Sequence, residues 1–208
     1  MKQSEALDIL KMGHNVFLTG AAGSGKTYVL NQYIAFLKDG GVSVGVTAST
    51  GVAATHMQGI TIHSWAGIGI KADISSGDLA KMAKKSYLKK RFKHARVLII
   101  DEVSMLHHYR LDMVDSVCRA MKENDEQPFG GLQVVLCGDF FQLPPISRGA
   151  EKASFVYHSD IWQDQDMDLK VCYLDEQHRQ SDDELLNVLN DIRSNKVTDA
   201  TLNPLRAR

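Results

Sequence analysis

The glycine-rich segment GAAGSGKT, from Gly20 to Thr27, limits the possible folds of this chain more than any other feature. It matches the pattern G-x-x-x-x-G-K-[ST], in which a tight turn joins the end of a buried strand to the start of a helix. The residues before it, NVFLTG, are typical of a buried strand, and the residues after it have helical spacing. A glycine-rich turn without a ligand is therefore the weaker interpretation, and the segment predicts a phosphate-binding loop.

Each part of this loop has a physical role in holding a phosphate chain. Glycines let the backbone turn tightly and bring its N–H groups close to an anion, and the following helix adds the positive end of its dipole. Lys26 is expected to reach the β- and γ-phosphates, and the Thr27 hydroxyl is expected to bind Mg²⁺. The predicted cofactors are ATP and Mg²⁺, and the predicted nucleotide contacts in this segment are Gly20, Gly23, Ser24, Gly25, Lys26, Thr27 and Tyr28.

Apolar runs alternate with helical patterns along the chain, which predicts the α/β fold class. Strands that are apolar throughout and separated by helices indicate a parallel sheet with helices on both faces. Such sheets bind their ligands beyond the carboxyl ends of the strands. We predict strands at residues 15–20, 42–48, 96–101, 132–139 and 169–174, and a helix at 28–38 that Gly40 and Gly41 end.

Polar residues follow two further predicted strands. Asp101 and Glu102 end the run VLIIDE, where Asp101 is expected to hold Mg²⁺ and Glu102 to orient or activate the attacking water. Gln142 follows the run QVVLCGDFFQ. It has two interpretations on chemistry alone: a hydrogen-bond partner of the γ-phosphate or its attacking water, or a polar turn residue before Pro144.

The charge of the chain gives no global signal for nucleic acid, because its formal net charge is −1 over 208 residues. Any contact with nucleic acid must therefore come from a local patch. A basic cluster between Lys71 and Lys93, with only two acids, is one candidate. It favours phosphate neutralisation or, equally, a solvated helix face. Its members are Lys71, Lys81, Lys84, Lys85, Lys89, Lys90, Arg91 and Lys93, and its acids are Asp73 and Asp78.

The three cysteines are scattered and form no C-x-x-C pair, so neither a disulfide framework nor a zinc site is expected. The first residues have no long apolar run, and the longest apolar stretch is too short to span a bilayer. These features predict a soluble protein without a membrane partner. It is expected to be cytoplasmic, or nuclear or mitochondrial in a eukaryote, and not secreted.

Five segments resemble, in order and spacing, the motifs of superfamily 1B DNA helicases. They are GAAGSGKT, TASTGVAA at residues 47–54, TIHSW at residues 61–65, DEVSML, and GDFFQLPP. The chain is most similar to the petite-integration-frequency family, relatives of RecD, and residues 111–146 look like that family's own signature segment. The resemblance extends from Gln3 to about Gln180, and PFGG followed by GDFFQLPP is not a general ATPase feature.

The resemblance implies roles for further residues. Gln3 matches the glutamine that reads adenine, and Gln142 matches the γ-phosphate sensor, which favours the first of its two interpretations. Arg179, in LDEQHRQ, matches an arginine that contacts the γ-phosphate and stabilises charge in phosphoryl transfer. The predicted catalytic residues are therefore Lys26, Glu102, Gln142 and Arg179, and the predicted metal ligands are Thr27 and Asp101.

The resemblance also implies single-stranded DNA as a partner. TASTGVAA and TIHSW match DNA-contacting segments of such helicases, although Trp65 replaces their usual phenylalanine. Trp65 is expected either to stack on a base or to lie in the core. In the family the position of the basic cluster holds a small insertion that helps to split the duplex. The predicted DNA contacts are Thr50, Gly51, His63, Ser64 and Trp65.

The resemblance implies a RecA-like motor domain at residues 1–195, with a small helical and basic subdomain inserted at 66–95. Residues 182–195 are expected to form an amphipathic helix, and residues 196–208 a C-terminal tail without a second motor domain. The implied function is the first motor domain of a 5′-to-3′ DNA helicase. It is expected to be a monomer and to need the second domain for full activity. The alternatives are a generic P-loop ATPase or small-molecule kinase, and a nucleotide-binding module that does not unwind DNA.

Overall fold

The computed structural model describes residues 1–146, 153–176, 188 and 191–206. Its centre is a six-stranded sheet with the order β3-β2-β4-β5-β1-β6, in which every pairing is parallel. The predicted parallel α/β fold is thereby confirmed. The strands are β1 Val16–Gly20, β2 Val44–Ala48, β3 Ile60–Thr61, β4 Val97–Asp101, β5 Gln133–Cys137 and β6 Lys170–Leu174.

The strands occupy the predicted apolar runs, each shortened by one or two residues at its ends, except that β3 was not predicted. Every residue of β1 and β4 is buried, as expected for central strands covered on both faces. β6 lies at an edge and exposes alternate residues, including Val171 and Tyr173. The carboxyl ends of β1, β4 and β5 therefore meet at one edge of the sheet.

Helices cover both faces of the sheet. The helix α2 begins directly after the glycine-rich loop, ends at the cap residue Gly40, and buries the apolar stripe expected from its spacing. The helices are α1 Gln3–Lys11, α2 Lys26–Asp39, α3 Gly51–His56, α4 Ile62–Ala66, α5 Ser76–Ala83, α6 Ser86–His94, α7 His108–Lys122, α8 Asp160–Gln163 and α9 Asp199–Arg206.

The alternation of side chains along each strand divides the core into two clusters. Val16 and Leu18 of β1 pack with α1 and α2, whereas Phe17 between them packs on the opposite face with α4, α6 and α7. The three cysteines are free and buried. Both faces of the sheet are thus closed by apolar contacts, and its carboxyl edge is left for polar residues.

The predicted insertion at 66–95 is helical, since it contains α5 and α6. It has no core of its own. Met82, Leu88 and Phe92 are buried in the cluster that also contains Trp65 and the residues of α7. The segment is therefore an extension of the main core, and its boundaries as a subdomain stay a prediction.

The segment predicted as a C-terminal tail, residues 196–208, contains the helix α9. Thr198 and Thr201 exchange hydrogen bonds at its start, and the Thr201 hydroxyl donates to Asp191 Oδ2 at 2.6 Å. These bonds fix the start of the helix to the preceding segment, and the boundary of the tail stays a prediction. Most of the helix predicted at 182–195 lies outside the described residues.

The PFGG segment forms a tight turn before β5. Phe129, Gly130 and Gly131 all have positive φ angles, of 50°, 62° and 82°. The buried Asp115 carboxylate on α7 accepts a hydrogen bond from the Phe129 N–H at 2.6 Å and forms an ion pair with Arg119. This contact ties α7 to the strand that carries Gln142 beyond its end.

Candidate functional site

The glycine-rich loop is closed so tightly that side chains do not fit at two of its positions. Gly20 has φ 153°, and a Cβ there would lie 2.6 Å from the Leu174 carbonyl oxygen and 2.7 Å from Ser24 Oγ. Gly25 caps the start of α2 with φ 88°, a conformation that favours glycine. The loop therefore presents backbone N–H groups and the amino end of α2 to a ligand.

Lys26 lies against this loop. Its ammonium donates to the carbonyl oxygens of Gly20 at 2.8 Å and Ala21 at 3.1 Å. The Ser24 hydroxyl is buried and has no hydrogen-bond partner among the described residues. A cation and an unpaired hydroxyl beside a ring of N–H groups are suited to an anion with several oxygen atoms.

Gln3 packs directly on the loop. Its Nε2 donates to the Ser24 carbonyl oxygen at 3.0 Å. Gln3 and Tyr28 line a cavity of 340 Å³ together with Leu7 and Gln32. The structure thus brings the two outlying nucleotide candidates, Gln3 and Tyr28, together beside the phosphate loop.

The carboxyl end of β4 carries two acids with different surroundings. Asp101 is buried, and its Oδ1 accepts from the Glu102 N–H at 2.9 Å. Glu102 has a left-handed backbone, φ 54° and ψ 43°, and its carbonyl accepts from Ser49 Oγ at 2.7 Å. Burial raises the pKa of the Glu102 carboxyl and the neighbouring Asp101 charge adds to this, whereas Lys26 opposes it. A raised carboxyl pKa suits a group that accepts a proton from water.

The turn after β5 is organised by Asp139. Its Oδ2 accepts from Gln142 Nε2 at 3.2 Å, and its Oδ1 accepts from the Phe141 N–H at 3.1 Å. The side chain of Asp139 is 2% exposed, whereas Gln142 is exposed. Gln142 is therefore held by a buried carboxylate while it faces the open edge of the sheet.

The three strand ends share one cavity of 700 Å³, which contains most of the predicted catalytic and metal residues. Thr27 and Asp101 both line it, and their hydroxyl and carboxylate oxygens are hard donors of the kind Mg²⁺ prefers. Mg²⁺ usually takes one or two protein ligands and completes its shell with water and phosphate oxygens. The residues present fit such an ion. Glu102 and Gln142 line the same cavity, and Arg179 lies outside the described residues.

A second cavity, of 620 Å³, lies beside the first and contains three of the predicted DNA contacts. Thr50, His63 and Ser64 line it. Thr50 also caps α3, since its Oγ1 accepts from the Ala53 N–H at 3.3 Å. Gly51, the first residue of α3, is exposed next to Thr50.

Trp65 is corrected from a candidate base-stacking residue to a core residue. It is 4% exposed, and its ring lies 4.6 Å from the Phe92 ring, centre to centre. On its other side the indole fills the space beside Gly45, where an added Cβ would lie 2.7 Å from ring atoms. The ring is enclosed between β2 and α6, so no face is free for a base.

Sequence reasoning missed functional candidates on α7 and near the C-terminus. His107 and Arg110 line the 620 Å³ cavity, and Arg110 Nη1 is buried without a partner among the described residues. Burial lowers the pKa of His63, and the nearby Arg110 charge lowers it further. The sequence signal for them is the run HHYR directly after DEVSML, which places two imidazole rings, a phenol ring and a guanidinium beside the carboxyl end of β4. Arg193, which pairs with Asp139, gave no local signal at all.

A glycine-rich loop after β1, a polar turn after the neighbouring β5 and an acidic pair after β4, the next strand along, lie at one edge of a parallel sheet. Together they define a RecA-like P-loop NTPase domain. A sequence profile of the family described as PIF1-like helicase matches residues 3–201. The chain belongs to this family, as its motifs predicted.

Individual relatives agree with this assignment. The chain is 54% identical to the ATP-dependent DNA helicase Pif1 of Psychrobacter sp. (strain PRwf-1), over 99% of this chain and 32% of that protein. It is 38% identical to the ATP-dependent DNA helicase PIF1 of Saccharomyces cerevisiae (strain YJM789), over 96% of this chain and 23% of that protein. The chain thus spans about a third or less of these curated relatives.

Solved structures show the same domain. The Pif1 helicase of Candida albicans superposes with a TM-score of 0.88 at 35% identity, over 97% of this chain and 45% of that one. The Bacteroides Pif1 helicase in complex with ADP-AlF3 and single-stranded DNA superposes with a TM-score of 0.82 at 31% identity, over 97% and 47%. Within the described residues, every helix is too short or too polar to cross a bilayer.

Proposed function

We propose that this chain is the first motor domain of an ATP-dependent DNA helicase, and that it binds Mg-ATP and single-stranded DNA. One observation carries the proposal: the two cavities share a wall. Thr50 and Met105 line both the cavity that contains Glu102 and Gln142 and the cavity that contains His63 and Ser64. A change in the contacts around the γ-phosphate can therefore reach the 620 Å³ cavity directly through Thr50 and Met105. The Bacteroides relative bound to ADP-AlF3 and single-stranded DNA supports the same pair of ligands.

The nucleotide is held by groups at the amino end of α2. The loop N–H groups and Lys26 bind the phosphates, and Gln3 hydrogen-bonds the adenine from its position against the loop. The exposed Tyr28 packs beside the base. Thr27 and Asp101 hold Mg²⁺, which supplies charge neutralisation to the transferred phosphoryl group.

The groups at the strand ends act on the γ-phosphate. Glu102 orients the attacking water and takes up its proton. Burial and the Asp101 charge suit the carboxyl to this role because they raise its pKa. Gln142 hydrogen-bonds the γ-phosphate or the water from the turn after β5. Arg179 neutralises charge that develops during phosphoryl transfer.

Single-stranded DNA lies in the 620 Å³ cavity. The hydroxyls of Thr50 and Ser64 and the N–H groups at the start of α3, including that of Gly51, donate to its phosphates. His63 and Arg110 face the same cavity, and Arg110 adds the positive charge that the chain lacks overall. The exposed lysines of α5 and α6 extend this charge toward a duplex that is to be split.

Full activity requires a second RecA-like domain, because stepping along DNA needs two bodies that open and close around ATP. We propose 5′-to-3′ movement, a monomeric state and a reducing compartment, the last of which the free buried cysteines support. This chain alone is then a nucleotide-binding module with weak hydrolysis and no unwinding.

Lys26→Ala tests the nucleotide part of the proposal. Removing this charged donor should weaken binding of a fluorescent ATP analogue by about tenfold to a hundredfold. Affinity for a single-stranded oligonucleotide, measured by fluorescence anisotropy, should stay within about twofold, because Lys26 does not line the 620 Å³ cavity. Lys38→Ala is the matched control, since Lys38 is exposed at the far end of the same helix.

Steady-state ATP hydrolysis with and without single-stranded DNA separates the alternatives. Little hydrolysis in either condition supports an isolated motor domain. Rapid hydrolysis at the same rate with and without DNA favours a generic ATPase. Equal ATP affinity in Lys26→Ala and the unchanged chain would overturn the assigned nucleotide site.

A further inference from the structure

An ion pair outside the predicted site joins the C-terminal region to the turn after β5. Arg193 Nη1 lies 2.7 Å from Asp139 Oδ2. The two side chains are 19% and 2% exposed, so the pair is largely shielded from water. Arg193 follows all six strands in the sequence, and this contact brings it back to the carboxyl edge of the sheet.

Asp139 is the residue that holds Gln142 in place. Both its carboxylate oxygens accept hydrogen bonds from the turn, Oδ1 from the Phe141 N–H and Oδ2 from Gln142 Nε2. The Gln142 N–H also donates to the Asp139 carbonyl oxygen at 2.9 Å. Arg193 shares Oδ2 with Gln142, so the carboxylate that fixes Gln142 is itself fixed by Arg193.

Arg193 is anchored by more than the carboxylate. Its guanidinium lies 4.5 Å from the centre of the Phe141 ring, and the Tyr173 side chain of β6 is another hydrogen-bond partner. Burial alone would raise the Asp139 pKa, but Arg193 and the turn donors outweigh it and hold that pKa below its usual value. The ionised Asp139 that accepts from Gln142 therefore depends on Arg193.

We propose that Arg193 is a positioning residue for Gln142, and that it links the C-terminal segment to recognition of the γ-phosphate. The inference rests on the proposed role of Gln142. Loss of Arg193 leaves a buried carboxylate without its counter-charge, so Asp139 turns toward water or takes a proton. Turning removes the acceptor that orients Gln142 Nε2, and protonation replaces a charged acceptor with a weaker neutral one.

The test measures how well the chain discriminates a nucleoside triphosphate from a diphosphate. The probes are ATPγS and ADP, each displacing a fluorescent nucleotide from the full chain. Arg193→Ala should lower the ratio of the two affinities by about tenfold, the size expected for a hydrogen bond to a charged group, and leave ADP affinity within about twofold. Gln142→Ala should produce the same loss.

The double variant separates positioning from an independent effect. If Arg193 acts through Gln142, Arg193→Ala combined with Gln142→Ala should lose no more discrimination than Gln142→Ala alone. Additive losses overturn the inference. Arg119→Ala is the matched control, because Arg119 and Asp115 form a similarly buried pair, 20% and 12% exposed, on α7. Its discrimination ratio should equal that of the unchanged chain.

Arg193→Gln is a second variant for the same measurement in case Arg193→Ala does not fold. Arg193→Gln keeps most of the side-chain volume and a donor while removing the charge, and it should lower the ratio in the same direction. An unchanged ratio in either folded Arg193 variant overturns the inference. If Lys26→Ala and Gln142→Ala also leave nucleotide affinities unchanged, the proposed function fails instead.

Discussion

At the scale of single residues, the backbone of Glu102 is the most unusual feature of the site. A left-handed conformation at a residue other than glycine costs about 1 kcal/mol or more, and such residues cluster at functional sites. Here the conformation occurs at the residue that directly follows the last residue of β4. The Ser49 hydroxyl stabilises it through the Glu102 carbonyl, and the Ser49 N–H donates to the Asp101 carbonyl at 3.0 Å.

Ser49→Ala should therefore lower the free energy of unfolding by about 1 kcal/mol, because it removes a hydrogen bond from a partly buried carbonyl. Urea denaturation monitored by circular dichroism measures this change. Ser43→Ala is the control, since Ser43 is exposed before the same strand. Equal stability in the two variants would show that the bond contributes nothing to holding Glu102.

At the scale of elements, the contact of Trp65 with Phe92 fixes α4 against α6. Gly45 on β2 makes room for the indole, so β2, α4 and α6 depend on one another. His63 and Ser64, which line the 620 Å³ cavity, precede Trp65 on the same short helix. The position of these two side chains is thus set from inside the core.

Trp65→Phe should leave affinity for single-stranded DNA within about twofold, because the residue acts through packing and phenylalanine keeps an apolar ring at this site. His63→Ala should weaken that affinity, since His63 lines the cavity. Fluorescence anisotropy with a labelled oligonucleotide measures both. A large loss of affinity in a well-folded Trp65→Phe chain would restore the base-stacking interpretation.

The elements that the sequence predicts well are those whose signal is local. The strands β1, β4 and β5 are continuous apolar runs, and the glycine-rich loop predicts the start of α2. The short β3 contains only Ile60 and Thr61, too few residues for any periodicity. Trp65 was ambiguous because burial depends on its neighbours in space. The pairing of Arg193 with Asp139 spans 54 residues of sequence and leaves no local pattern.

At the scale of the whole molecule, charge is distributed unevenly although the formal net charge is −1. Lys89 and Lys90 on α6 and its N-terminal cap residue Lys85 are exposed, and the acid Asp78 is already paired with Lys71 at 2.5 Å. The lysines of α6 are therefore available to a phosphate backbone. They lie on the face of the sheet opposite α1 and α2.

Replacing Lys85, Lys89 and Lys90 together by glutamine should make DNA binding less sensitive to salt. The slope of log affinity against log salt should fall by about 0.7 for each lysine that contacts a phosphate of a single strand. Anisotropy titrations at several salt concentrations measure this slope. Replacing Lys11 and Lys38 on the opposite face should leave it unchanged, and an unchanged slope in the α6 variant would identify its lysines as a solvated face.

The wall formed by Thr50 and Met105 has a consequence that follows from thermodynamics alone. If ATP in one cavity changes the affinity of the other for DNA by some factor, DNA must change the affinity for ATP by that same factor. Binding of the two ligands therefore forms a thermodynamic cycle of four steps, and the free energies of any three steps determine the fourth. If this coupling is positive, bound ATP strengthens DNA binding and bound DNA strengthens ATP binding by the same factor.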